Sequence, residues 1–193
     1  MEKSNKIRVG ISVGDLNGVG VELILKTFED KRVLELCTPI VFASDKVFSF
    51  YKKQLKQPVS TFFVSSIDGV KEGKLNIVKS WEGSVEVSIG VPTKESGEKA
   101  FQSLEAATEA LAQQKIDMLL TAPISKDNIQ SASFTFPGHT EYLESKLEGD
   151  SLMVLMSDSI RMGLVTGHVP VSEISNILSR ELIVNKIDIM YHS

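Results

Sequence analysis

The sequence predicts an α/β fold with a mainly parallel sheet, and three observations carry that expectation. Short runs rich in β-branched or other apolar residues recur at 7–13, 39–43 and 117–121, each bounded by Gly, Pro or polar residues. Between them, apolar residues fall at roughly helical spacing in 21–36 and 96–114. Strands alternating with helices build parallel β-α-β units, and 193 residues suffice for one large domain or one and a half small ones.

The first strand, 7–13, ends at Gly14 and leads through the loop 14–20 into a helix over 21–36, with Leu23, Leu25, Phe28 and Val33 on its apolar side. A second strand at 39–43 is followed by Asp45, a suitable N-cap for a helix to Leu55. Segments 59–64, 75–78 and 85–89 read as three short strands between Gly- and Lys-bearing turns, forming an antiparallel insertion. The clearest helix is 96–114, where Ala100, Leu104, Ala107 and Leu111 make one stripe. The run 117–121 is apolar throughout, as expected of a strand covered on both faces. Thr140 is placed to cap a short helix to Leu147, 152–156 and 160–165 flank a turn, and Ser172 is placed to cap a final helix. No internal repeat or low-complexity tract interrupts the pattern.

Composition narrows the function classes. Apolar residues at 42% and charged residues at 24% are those of an ordinary soluble domain. A net charge of −4 supplies no general attraction for nucleic acid or an anionic membrane. The single cysteine, Cys37, excludes an intrachain disulfide and a Cys-rich zinc site, and its apolar neighbours suggest a small buried hydrophobe. Residues 1–6 lack the apolar core of a signal peptide and no run approaches a membrane span, so a cytoplasmic protein is expected.

Two of the three histidines stand out, in Pro137-Gly138-His139-Thr140-Glu141-Tyr142 and Thr166-Gly167-His168-Val169-Pro170. Histidine exchanges protons and holds metals near neutral pH, and loops at strand ends present such groups to ligands. Taken singly, each could be a solvated loop residue; their contexts together favour a ligand-binding role. His139 and Thr140 open a helix whose dipole favours an anion. Lys126 is either a solvated lysine or a partner for a substrate phosphate or carboxylate. Asp15 is either an exposed loop acid or a site residue. Gly14, Gly18 and Gly20 fit neither the dinucleotide fingerprint nor the phosphate loop, and a tight strand-to-helix turn explains them better. His192, beside the terminus, reads as an incidental helix-surface residue. No residue is singled out as catalytic.

Four segments in order, 14–22, 120–126, 136–142 and 166–170, together resemble the 4-hydroxythreonine-4-phosphate dehydrogenase family of pyridoxal phosphate biosynthesis. Leu16-Asn17 stands where that family typically has Pro-Ala, and Ala122 where it often has Gly. The resemblance implies an isocitrate/isopropylmalate dehydrogenase-like fold of two lobes, with 1–122 forming most of the first and 123–193 beginning the second. It implies a homodimer that uses NAD and a divalent metal (zinc, magnesium or cobalt) to oxidise and decarboxylate 4-phosphooxy-L-threonine to 3-amino-2-oxopropyl phosphate. His139 and Thr140 match the family's substrate-binding pair, with Lys126 a further substrate-binding candidate, and His168 matches its first metal-binding histidine.

Members of that family are considerably longer, with the other two metal histidines, the substrate-phosphate residues and most of the NAD site in the part after Ser193. The chain is therefore expected to be an N-terminal portion, inactive by itself. Two other readings stand beside this one. The first is a related dehydrogenase of a phosphorylated sugar acid such as 4-phosphoerythronate. The second is a short non-catalytic module that binds a phosphorylated metabolite or a partner subunit.

Overall fold

The computed structural model describes residues 6–131 and 133–193. Two compact units divide the chain, 1–147 and 148–193. The boundary expected from the sequence lies at 122/123, between most of a first lobe and the start of a second.

The first unit is built on a five-stranded sheet. Its strands are β1 (Ile7–Ser12), β2 (Cys37–Ala43), β3 (Thr61–Val64), β4 (Leu75–Lys79) and β5 (Met118–Thr121), in the order β3-β4-β2-β1-β5. Every pairing in it is parallel. The expected α/β class with a mainly parallel sheet is therefore what the chain forms. The helices are α1 (Gly20–Thr27), α2 (Val33–Leu36), α3 (Asp45–Leu55), α4 (Lys94–Ala112) and α5 (His139–Lys146).

The core lies in three clusters. One joins Ile11, Val13, Val41 and Ile77 of the central sheet region to Leu25 of α1 and to Phe48 and Tyr51 of α3. The second joins Ile40, Phe42 and Val78 to Ala107 and Ala110 of α4. The third packs Ala100 and Leu104 of α4 against Ile129, Phe134 and Tyr142, which places the segment after β5 in the first unit. Ser103 locks α4 to the sheet: its hydroxyl accepts from the Val13 N–H (2.9 Å) and donates to the Phe42 carbonyl (2.6 Å).

Several sequence expectations give way to identifiable local forces. The segments 59–64 and 75–78 join the main sheet in parallel rather than forming an antiparallel insertion, and 85–89 is no strand. Asn17 occupies the backbone there: its Oδ1 accepts from the Ser88 N–H (2.9 Å), its carbonyl from the Gly90 N–H (2.8 Å), and its Nδ2 donates to the Val91 carbonyl (2.8 Å). The helix over 21–36 breaks after Thr27, where Asp30 Oδ1 accepts from the Arg32 N–H (3.0 Å) in a local turn that competes with helix. Ser44, not Asp45, caps α3, accepting from the Lys46 N–H. Thr93 and Ser96 form a reciprocal capping box, so α4 begins two residues before the expected 96. Gly138, with no side chain to donate or accept, takes the cap position of α5 in place of Thr140.

β5 is an edge strand paired only with β1, so Met118 and Leu120 are about half exposed instead of doubly covered. Cys37 is half-buried at the start of β2, its thiol pushed up in pKa chiefly by desolvation.

The second unit is a two-stranded antiparallel hairpin, β6 (Val154–Met156) and β7 (Arg161–Gly163), followed by α6 (Ile174–Ile177) and α7 (Arg180–His192). Its strands are shorter than the expected 152–156 and 160–165. Ser179, whose hydroxyl accepts from the Leu182 N–H, caps α7, and Ser172 lies in a 3-10 turn instead.

Candidate functional site

Parallel pairing gathers the carboxyl ends of strands on one side, where α/β proteins bind ligands. Ser12 and Thr121 are register partners at the ends of β1 and β5, so the loops 13–19 and 122–128 leave the sheet side by side. They are also joined directly. The Asp15 N–H donates to the Pro123 carbonyl (2.9 Å), and Asp15 Oδ2 accepts from Asn128 Nδ2 (3.3 Å). Gly14 sits at φ 68°, and a Cβ there would overlap the Pro123 carbonyl. Glycine is thus required both by the left-handed backbone and by the close approach.

The loop after β1 is held rigidly. Tyr51 on α3 donates its hydroxyl to the Leu16 carbonyl (2.6 Å), and burial raises the pKa of that phenol, keeping it a donor. Asp15 Oδ1 accepts from the Asn17 N–H (3.0 Å), and the Gly18 N–H donates to the Asp15 carbonyl (3.0 Å). The N–H groups of residues 15, 17 and 18 are therefore already engaged, which disfavours this loop as a phosphate cradle. Asp15 is only 7% exposed, which decides the sequence alternative against an exposed loop acid.

Lys126 lies exposed in the second of these loops. His139 is the first residue of α5, and Thr140 follows it exposed at the same helix start. The helix is anchored from beneath by Tyr142, which stacks edge-on with Phe101 (5.8 Å) and Phe136 (5.5 Å) and against Phe134. His139 is half-buried, and burial holds its pKa below the ordinary 6.5. Its Nε2 is enclosed without a hydrogen-bond partner among the described residues. A buried ring nitrogen in that condition favours a ligand that supplies the missing bond. A neutral imidazole can either donate or accept there.

His168 is exposed in the loop after β7 and belongs to the second unit. Among the described residues, no three His, Cys, Asp or Glu side chains group as a metal site would require. The donors present among the described residues do not make a catalytic metal site by themselves. A cleft of about 690 Å³ opens at the opposite, amino-terminal ends of the strands, near Lys6, Leu34 and Lys74. None of Lys126, His139, Thr140 and His168 lines that cleft.

Sequence reasoning missed Asn128, Ser96 and Tyr51. Asn128 carried a faint signal, a polar side chain two residues after Lys126 in a loop already under suspicion. Tyr51 carried none, because its carbonyl partner is 35 residues away.

A mainly parallel α/β unit with histidine- and lysine-bearing loops beyond its strand ends defines a ligand-binding, enzyme-like class. A sequence model described as "Pyridoxal phosphate biosynthetic protein PdxA" matches residues 35–193, and the chain belongs to that family. It is 44% identical over 191 residues to the 4-hydroxythreonine-4-phosphate dehydrogenase of Bacteroides thetaiotaomicron, covering 98% of this chain and 52% of that protein. The enzyme of the same name from Hydrogenobaculum is 32% identical over 183 residues, covering 94% and 57%. The crystal structure of a 4-hydroxythreonine-4-phosphate dehydrogenase from Burkholderia phymatum shares the fold, with TM-score 0.84 and 22% identity over 96% of this chain and 57% of that one. The chain thus spans little more than half the length of these relatives.

Proposed function

We propose that this chain forms part of an enzyme that oxidises 4-phosphooxy-L-threonine with NAD and decarboxylates the product to 3-amino-2-oxopropyl phosphate, supplying pyridoxal phosphate synthesis. The observation that carries this reading is the 44% identity to a named 4-hydroxythreonine-4-phosphate dehydrogenase along nearly the whole chain. The enclosed, unpartnered Nε2 of His139 supports it, since such an atom is suited to a polar substrate.

In this proposal His139 and Thr140 bind the substrate's polar groups, and Lys126 takes an anionic group as a charge-assisted partner. His168 is one ligand of a divalent metal whose other ligands lie in the part of the relatives that this chain does not span. The NAD site lies largely there too. The metal, when bound, would supply Lewis-acid stabilisation of developing oxygen charge. The working assembly is a homodimer in the cytoplasm. No helix among the described residues is long and apolar enough to cross a membrane.

The test is NADH formation from 4-phosphooxy-L-threonine by this chain and by a full-length relative, with 4-phosphoerythronate as competing substrate. Turnover of the threonine derivative by the full-length protein, with KM raised on His139→Ala, is the expected result. Preference for the sugar acid would reassign the substrate. Tight phosphorylated-metabolite binding with no turnover in the native protein would favour the short-module reading.

A further inference from the structure

A cleft of about 390 Å³, the size of a small-molecule site, opens at the amino-terminal ends of β1 and β2. Arg8 and Thr38 line it together with Lys6, Ile67, Asp68 and Glu72. Arg8 and Thr38 are register partners on the two parallel strands, so their side chains leave the same face of the sheet. Alternation along β2 puts Ile40 and Phe42 on that face too, and both belong to the cluster that includes Ile67. Thr38 is 2% exposed, and its Oγ1 is enclosed without a hydrogen-bond partner among the described residues. Most buried polar atoms are paired, and a valine of the same shape would fill this place without the cost of an unmet hydroxyl.

The guanidinium beside it is also underused. Arg8 donates to the Ile67 carbonyl over a long 3.4 Å, and none of the salt bridges among the described residues includes it. A guanidinium carries five N–H donors in a planar fork, so most of them are left for another acceptor. The Arg8 backbone is fixed, its N–H donating to Asp117 Oδ2 (2.7 Å) and its carbonyl accepting from the Asp117 N–H (2.9 Å). Lys6, whose Nζ donates to the Leu34 carbonyl (3.1 Å), adds positive charge to the same wall.

We propose that Arg8 and Thr38 form a binding site for a small monocarboxylate, separate from the candidate site at the carboxyl ends of the strands. Arg8 turns from Ile67 to grip the carboxylate with its fork, which uncovers the Thr38 hydroxyl to donate to one carboxylate oxygen. The short alkyl part of the ligand lies against Ile67. Asp68 and Glu72, exposed at the rim, repel anions of higher charge, so a phosphate dianion is disfavoured.

The experiment titrates the 193-residue chain with propionate at constant ionic strength and follows the backbone amide resonances of Ile67, Asp68 and Gly69. Saturable shifts with a midpoint of about 10 mM are expected, and inorganic phosphate should need at least about tenfold more. Thr38→Val should weaken propionate binding about tenfold while leaving the urea midpoint equal to or above that of the wild type. Thr38→Ser, which keeps a hydroxyl, should bind within about threefold of the wild type, and Arg8→Gln should lose about tenfold or more. Absence of saturable shifts up to about 100 mM, or phosphate binding as tight as propionate binding, would overturn the proposal. So would unchanged affinity in Thr38→Val or Arg8→Gln. A Thr38→Val protein that is less stable than the wild type, or unfolded, would show that the hydroxyl already has a partner in the empty cleft, and would overturn it as well.

Discussion

At the scale of single residues, His139 combines two properties that pull against each other. It is half-buried and neutral, with Nε2 unpartnered, so it weakens the fold in order to keep a polar atom available. Its folded pKa is depressed, so on acidification the unfolded chain binds the proton first. The stability associated with the neutral ring is whole above pH 6.5 and is lost as pH falls through that value towards the depressed folded one. His139→Gln, which cannot titrate, should flatten the pH dependence of the urea midpoint on the acid side of neutrality; an unchanged slope would contradict this account. In a full-length relative, His139→Ala should raise KM for the phosphorylated substrate more than it lowers kcat, as expected of a group that binds. Tyr51 shows the opposite arrangement, a satisfied polar atom deep in the core. Tyr51→Phe leaves the Leu16 carbonyl without that donor and should cost about 1–3 kcal/mol in urea unfolding, without touching any candidate ligand group.

At the scale of elements, α4 decides how the loop after β5 lies. Gly97 faces the Asn128 backbone so closely that a Cβ would overlap the Asn128 carbonyl. On an isolated helix Gly→Ala gains about 1 kcal/mol from propensity. Here Gly97→Ala should destabilise instead and should loosen amide protection at 125–129, because the neighbour is backbone and cannot rotate away. A neutral or stabilising outcome in thermal unfolding would show that the contact is slack. The elements also show what was legible. The stripe Ala100, Leu104 and Ala107 is readable because helical spacing and burial report the same face. The segment 85–89 alternates like a strand, yet Asn17, some seventy positions earlier, occupies its backbone, and no local pattern announces that. The candidate residues of the loops were readable because Gly and Pro punctuate them. The Asp15–Asn128 clamp was not, since it joins residues 113 apart.

At the scale of the whole molecule, several large apolar side chains lie exposed. In the second unit Leu155, Met156 and Met162 on the hairpin and Ile187 and Tyr191 on α7 are all exposed. Leu155 and Met162 are register partners on the hairpin, and exposed apolar neighbours of this kind mark an interaction face or an aggregation liability. Association of the chain that rises with concentration in sedimentation, and falls on Leu155→Glu with Met162→Glu, is expected; a monodisperse monomer at high concentration would count against it. Cofactor binding follows from the other unit. The glycine-bearing loop after β1 resembles a nucleotide turn only in composition, because its N–H groups at 15, 17 and 18 already serve Pro123 and Asp15. A dinucleotide's phosphates would compete with those bonds for the same three donors. The chain should therefore bind NAD only weakly, with Kd of about a millimolar or worse, while a full-length relative binds it far more tightly. Calorimetric titration of both proteins with NAD makes the comparison. Stoichiometric micromolar binding by the 193-residue chain would mean that the β1 loop opens to accept the cofactor, and that the hydrogen bonds seen there belong to a closed resting state.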